Sequence, residues 1–181
     1  MRIIAGKYKR TPLVTLEGED ITRPTRDMVK EALFSSITIY SDTVFLDLFS
    51  GSGAIGLEAL SRGAKDAVFN DANARAAEII RQNLKKVKED RLVYQLDYQE
   101  CLKRCEGKKF DYIYCDPPYA FREYEQIFHD VKEYDLLPAD GMIIFEVRKD
   151  TDLNERYEDL YKYKEKRYGI NKLLYYRKEE S

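Results

Sequence analysis

The 181-residue sequence has no tryptophan, one histidine (His129), three cysteines and five prolines. Cys101, Cys105 and Cys115 lack the C-x-x-C spacing and histidine partners of a zinc site, so no metal is expected. An odd, sparse cysteine count also excludes a disulfide scaffold and suits a reduced, cytoplasmic chain. No apolar run approaches the ~18 residues of a membrane span, and the opening MRIIAGKYKR lacks the apolar stretch of a secretory signal. Neither export nor membrane insertion is expected. Net charge is scarce too: 31 Lys+Arg against 33 Asp+Glu leave −2, a total that speaks against a nucleic-acid partner.

That total hides an uneven distribution. Positions 1–30 carry 7 basic and 4 acidic residues, 31–161 carry 17 and 26, and 162–178 carry 7 and 1, so the chain reads +3, −9, +6 before Glu179 and Glu180. Basic ends on an acidic body point to polyanion binding by the ends, although charge runs also serve as solvated faces.

From Thr43 onward, short apolar runs alternate with segments of helical period, the pattern of a mostly parallel sheet with helices on both faces. The expected strands are Thr43–Leu48, Ala67–Asn70, Leu92–Leu96, Phe110–Cys115 and Met142–Val147. Ala76, Ile80, Leu84 and Val87 mark one amphipathic helix between them, and Tyr124, Ile127, Phe128 and Val131 mark another. The Tyr-rich, β-prone runs Tyr157–Tyr168 and Lys172–Arg177, separated by Gly169, read as an antiparallel pair completing a seven-stranded sheet. Ahead of the sheet, Arg2–Leu16 reads as a hairpin and Thr25–Ile37 as a helix opened by Pro24, with Thr22 or Thr25 as its cap. This divides the chain into an extension, 1–40, outside the α/β core, and a body, 41–181.

The sharpest local signal is Asp47-Leu48-Phe49-Ser50-Gly51-Ser52-Gly53-Ala54-Ile55-Gly56, a strand entering a G-x-G-x-x-G turn that opens a helix. Such a turn brings the backbone close to a nucleotide-like ligand. Asp71, 20 residues after Gly51, is placed to accept both hydroxyls of a ribose. Asp47 narrows the ligand. At ~4 Å and an effective dielectric of 20, it would repel a dinucleotide phosphate by roughly 4 kcal/mol. It would attract the cationic ammonium and sulfonium of S-adenosylmethionine. Asp97, after the third strand, is placed to accept from the adenine amino group. Ser50 and Tyr98 complete this cofactor set. The alternative is that Asp47 and Asp97 only cap turns, as acids at strand ends often do.

Phe110–Cys115 runs into Asp116-Pro117-Pro118-Tyr119. Two prolines fix φ and stiffen the loop. The exocyclic amine of a purine is a poor nucleophile and must be held with its lone pair on the methyl carbon. The Asp116 carboxylate and a carbonyl of the proline pair, that of Pro117, can accept its two N–H bonds, and Tyr119 offers a face for a base taken out of its stack.

These residues, with Arg2-Ile3-Ile4-Ala5-Gly6-Lys7, Arg23-Pro24-Thr25 and Lys30-Glu31-Ala32-Leu33-Phe34, make the sequence similar to RsmD-type methyltransferases over nearly its whole length. The resemblance implies a Rossmann-like class I methyltransferase fold. It also implies methyl transfer from S-adenosylmethionine to N2 of a guanine in 16S ribosomal RNA, free or in the small subunit. It gives cofactor contacts at Asp47, Gly51, Gly53, Asp71 and Asp97 and a catalytic Asp116-Pro117-Pro118-Tyr119. Relatives carry Glu where Asp71 stands, and Asn70 is the ribose ligand if the register is one residue out.

Lys7, Lys9 and Arg10 on the hairpin, with Arg23 and Arg26 near the mouth, suit RNA phosphates. Alternation places Lys162, Lys164 and Lys166 on one face and Tyr161 and Tyr163 on the other, where edge lysines also deter sheet aggregation. A monomer is expected. Adenine-N6 and protein glutamine methyltransferases share the chemistry but usually begin the tetrapeptide with Asn. A nicotinamide oxidoreductase leaves the tetrapeptide unexplained.

Overall fold

The structure, a computed structural model, describes residues 1–17 and 23–179, the side chains of residues 23–25 excepted. Thr22 and the side chains of Thr25 and Arg23 therefore lie outside the described residues, and with them the expected caps.

The sheet is built from β1 (Val44–Asp47), β2 (Asp66–Asn70), β3 (Val93–Tyr94), β4 (Tyr112–Cys115), β5 (Met142–Arg148), β6 (Arg156–Tyr157), β7 (Leu160–Tyr168) and β8 (Asn171–Lys178). Its order is β3-β2-β1-β4-β5-β8-β7-β6. β1–β5 are parallel, and β8 enters antiparallel between β5 and β7. The expected architecture is borne out, with eight strands instead of seven among the described residues. The run read as one strand from Tyr157 breaks at Glu158, whose φ of 51° turns the chain so that Arg156–Tyr157 pairs back onto Leu160 and Tyr161.

Alternation along the strands divides the core. Leu46, Val68, Ile113, Phe145, Leu174 and Tyr176 face one side, packed with α4 (Tyr98–Arg104) and α5 (Tyr124–Glu133). Phe45, Phe69, Tyr114, Ile144, Leu173 and Tyr175 face the other, where α2 (Ala54–Ser61) and α3 (Ala74–Lys86) pack. In β1, β2, β4, β5 and β8 successive core side chains point to opposite faces, as a sheet covered on both faces requires.

The N-terminal segment is not outside this core. Ile3, Leu13, Val29, Leu33 and Phe34 are buried in the second layer, the last three from α1 (Arg23–Ser36), which lies over the β7 side of the sheet. α1 covers Phe45 and Tyr175: the Phe34 ring stacks 6.2 Å from that of Phe45, and Ser36 Oγ lies 2.6 Å from the Tyr175 hydroxyl.

Residues 2–16 make less of a hairpin than expected. A single bridge joins Arg2 and Pro12, with Ile3 N–H donating to the Thr11 carbonyl at 3.0 Å and Leu13 N–H to that of Met1 at 2.8 Å. Pro12 has no N–H for a ladder. The amides of Ile4 and Ala5 turn instead to the Glu58 carboxylate at 2.8 and 3.1 Å. Gly6, at φ +86°, passes so close to the Ser61 backbone that a Cβ would collide with it.

The C-terminal lysines also depart from expectation. A bulge between Lys162 and Lys164 pairs the former with Tyr176 and the latter with Tyr175, which face opposite sides. The inserted residue puts Lys162 among Glu155 and Glu165, at 3.1 and 3.0 Å, and leaves Lys164 over the Tyr175 ring.

Candidate active site

The sheet reverses its strand order between β1 and β4, and a cavity of about 830 Å³ opens there, beyond the C-terminal ends of the strands. This is the switch point at which open α/β sheets bind ligands. An acid from the end of each parallel strand lines it: Asp47, Asp71, Asp97, Asp116 and Glu146. Phe49, Tyr98 and Phe121 form an aromatic wall, with Phe121 centred 5.5 Å from Phe49 and 5.3 Å from Tyr98.

Asp47 closes β1 and is buried. Its Oδ2 accepts the Gly56 amide at 3.1 Å, while its Oδ1, also buried, has no hydrogen-bond partner. Burial pushes this carboxyl up to about 7, assisted by the charge of Asp71 and opposed by the Gly56 amide and Ser50. Gly56 can approach because it has no side chain: a Cβ there would collide with the Phe69 ring. Ser50 lines the cavity, but its hydroxyl is committed to the turn, donating to the Asp47 carbonyl at 2.6 Å and accepting from Asn70 N–H at 3.1 Å. Gly51 lines the cavity as well, and Gly53 is the N-cap of α2.

Asp71 is held facing the turn, its oxygens accepting Gly51 N–H and Asn73 N–H at 2.9 Å each. The neighbouring Asn70 is buried, and its amide bonds the Leu48 carbonyl and both backbone groups of Leu96, so it ties strand ends together and faces no ligand. Asp97 is the N-cap of α4, accepting Glu100 N–H at 2.9 Å, and lines the cavity at the same time. Tyr98 is buried with its hydroxyl 3.1 Å from Glu123 Oε1.

Asp116, Pro117, Pro118 and Tyr119 all line the cavity. The Pro118 carbonyl accepts Phe121 N–H at 2.9 Å, which folds the loop back. Tyr119 is 71% exposed, with the Arg148 guanidinium 5.0 Å over its ring. Asp116 is held well above the usual carboxylate range, first by burial and then by the charge and hydrogen bond of Glu146, with Arg26 opposing. Glu146 accepts the Tyr114 hydroxyl at 2.7 Å and the Asn171 amide at 3.1 Å.

Of the basic residues, Arg26 is exposed and lines the cavity mouth. Lys9 and Arg10 are exposed and line a separate groove with Arg2, Asp27 and Glu31. Lys7 is pulled aside, 3.4 Å from Glu89. The sequence did not assign Glu146, Asp27 or Lys30 to the site, and of the aromatic wall it pointed to Tyr98 but not to Phe49 or Phe121. A lone acid in the apolar run Ile143–Val147 was the available signal for Glu146. Among the described residues no cluster of acids, cysteines or histidine is arranged to hold a metal, and no helix is long and apolar enough to cross a membrane.

This strand order, with its antiparallel insertion beside β5, defines a class I, Rossmann-like methyltransferase fold. The family described as Conserved hypothetical protein 95 matches residues 1–177, and the chain belongs to that family, the RsmD-type methyltransferases. YlbH of Bacillus subtilis is 35% identical over 183 residues, covering 98% of this chain and 99% of that one. Ribosomal RNA small subunit methyltransferase D of Haemophilus influenzae is 35% identical over 158 residues, covering 84% and 81%. A solved protein of Thermus thermophilus superposes with a TM-score of 0.81 at 27% identity, covering 97% and 98%.

Proposed function

We propose that the protein transfers a methyl group from S-adenosylmethionine to the exocyclic N2 of a guanine in 16S ribosomal RNA. The observation that carries this reading is the opening of the Asp116-Pro117-Pro118-Tyr119 loop into the same cavity as the unpartnered Asp47 oxygen. The name of the Haemophilus influenzae relative supports the RNA substrate.

The residues fit the cofactor. A buried carboxylate oxygen without a partner is costly unless a cation or donor meets it, and the cofactor offers both. Asp71 would take the ribose hydroxyls with its remaining lone pairs, and Asp97 the adenine amine. Bound there, S-adenosylmethionine supplies an electrophilic methyl on a positive sulfur. The Asp116 side chain and the Pro117 carbonyl would accept the two N–H bonds of the target amine and aim its lone pair at that methyl, while Tyr119 stacks the base. Phe49, Tyr98 and Phe121 keep water from the reacting atoms. The methylated amine then carries one proton too many, which the Asp116–Glu146 pair can accept. Catalysis of this kind is mainly orientation and desolvation, which can supply on the order of 7–11 kcal/mol.

Residues 1–40 form the RNA-facing extension of the catalytic body 41–181. Lys9 and Arg10 are exposed and suit phosphates, Arg23 and Arg26 belong to the same set, and Lys7 joins it on leaving Glu89. The protein acts as a cytoplasmic monomer on the RNA or on the assembled small subunit. The test is transfer of labelled methyl to small subunits and to bare 16S RNA lacking the modification, with nucleoside identification after digestion. N2-methylguanosine is expected, and N6-methyladenosine would overturn the assignment.

Cofactor binding should depend on pH through Asp47. Its carboxyl sits near 7 in the free protein, so the ionised form that a cation needs is scarce in acid. Affinity for S-adenosylmethionine should rise about 15-fold from pH 5.5 to 7.0 and then level off. Asp47→Asn should bind more weakly with a flat profile; calorimetry across this range reads both, and a flat wild-type profile would contradict the role. Folding carries the opposite sign: a raised carboxyl favours the folded state when protonated, and that contribution is lost as pH rises from about 4 to 7.

A further inference from the structure

We propose that Glu146 reads the Watson–Crick edge of the target base, accepting N1–H of guanine while Asp116 and Pro117 hold N2. The proposal rests on the guanine reading above and explains why the site would choose guanine over adenine. The register of β4 and β5 pairs Cys115 with Phe145, so Asp116 and Glu146 follow side by side on adjacent strand ends. Alternation puts both on the α1 side of the sheet, the side of Tyr114 and Ile144. Glu146 lines the main cavity and also a smaller one of about 210 Å³ behind the Asp116–Tyr119 loop, so a base edge held by that loop comes within its reach.

The partners of Glu146 fix what it can do. Tyr114 donates to one oxygen and the Asn171 amide to the other, so the carboxylate is held as an acceptor with a lone pair left on each oxygen. Its bond with Asp116 needs one proton between two carboxylates. Burial and the neighbouring Glu146 hold the Asp116 carboxyl well above its usual range, so Asp116 donates in that bond and Glu146 accepts. Guanine presents N1–H beside its 2-amino group, two donors in a row. Adenine presents a lone pair at N1 beside its amine, which would face the carboxylate across a desolvated gap. A site built around a buried acceptor rejects a base without the matching donor more strongly than an apolar pocket rejects a misfit of shape.

The analogue 2-aminopurine separates this idea from a structural role, because it keeps the 2-amino group but has a lone pair at N1. With the modified guanine mapped as above, 16S RNA carrying 2-aminopurine ligated at that position, bare or reconstituted into subunits, is compared with its guanine counterpart. Wild-type protein should methylate the analogue roughly 100-fold more slowly. Glu146→Gln should slow guanine and narrow the gap to below tenfold, because its amide N–H can donate to N1. Unchanged S-adenosylmethionine binding by calorimetry shows that the variant is folded, and the wild-type comparison needs no variant. A wild-type gap below tenfold, or a gap that Glu146→Gln leaves as it was, overturns the proposal. Failure to form N2-methylguanosine in the mapping step instead overturns the reading on which it rests.

Discussion

Asp116→Ala should bind S-adenosylmethionine as the wild type does and lose turnover by on the order of 10³-fold. The alanine removes the acceptor that orients the amine but leaves Asp47, Asp71 and Asp97 in place, so cofactor affinity, read by calorimetry, should stay within about threefold. The variant should also gain stability relative to the wild type as pH rises. Asp116 is half-buried beside Glu146 and desolvation and that neighbour hold its carboxyl well above the usual range, so the folded protein keeps a proton that the unfolded chain releases above about pH 4. The stability associated with that proton falls steadily as pH increases. Asp116→Asn removes the slope while keeping the shape, and its melting temperature should gain on that of the wild type as pH rises above about 4. A stabilised but inactive variant is the signature of a group retained for chemistry at the expense of folding. Unchanged turnover in Asp116→Ala would remove the assigned role.

What could be read from the sequence follows the range of the interactions. The strands of the sheet were legible to within a few residues because Gly51, Gly53 and Gly56, and the double proline after Cys115, mark the chain locally. Asp47, Asp71, Asp97 and Asp116 were legible for the same reason: each follows an apolar run at a strand end, and the cavity collects all four. Glu146 was not, since only the pairing of Cys115 with Phe145 places it beside Asp116. The bulge at Lys162/Lys164 escaped because alternation in sequence cannot reveal an inserted residue, so the face of each lysine followed from a register known only in the sheet. Residues 2–16 looked like a hairpin from local sequence, and only the single bridge Arg2–Pro12 forms. The acceptor that draws Ile4 and Ala5 out of it, Glu58, lies more than fifty positions away. The basic ends were visible as charge, but which lysine is free is a matter of neighbours: Glu89 takes Lys7, and Glu155 and Glu165 take Lys162.

The largest loss of stability is expected at Glu58, a position whose chemistry is far from the reacting atoms. Its carboxylate is fully buried in α2 and accepts from the amides of Ile4 and Ala5, from Arg62 Nε at 2.9 Å, and faces Lys30 Nζ at 3.5 Å. Lys30 is buried as well, donates to the Arg2 carbonyl at 2.7 Å, and is held below its usual range chiefly by burial, with Glu58 opposing that shift. One carboxylate thus joins α1, α2 and the N-terminal arm. Glu58→Ala leaves a buried ammonium without its counterion and two backbone N–H groups without acceptors, and should cost about 3–5 kcal/mol. For a chain of this length that corresponds to a fall of roughly 10–15 °C in melting temperature. Adding Lys30→Met to Glu58→Gln should cost clearly less than Glu58→Ala alone, because the amide oxygen still accepts one of the two arm N–H groups and no buried ammonium is stranded. The arm also carries Lys9 and Arg10, and Met1 lines the catalytic cavity beside Lys30, so release of the arm should weaken RNA methylation before it weakens the sheet. A shift below about 1 kcal/mol in Glu58→Ala would mean that water reaches the network, and that the arm is held by Ile3 and Leu13 in the core and not by charge.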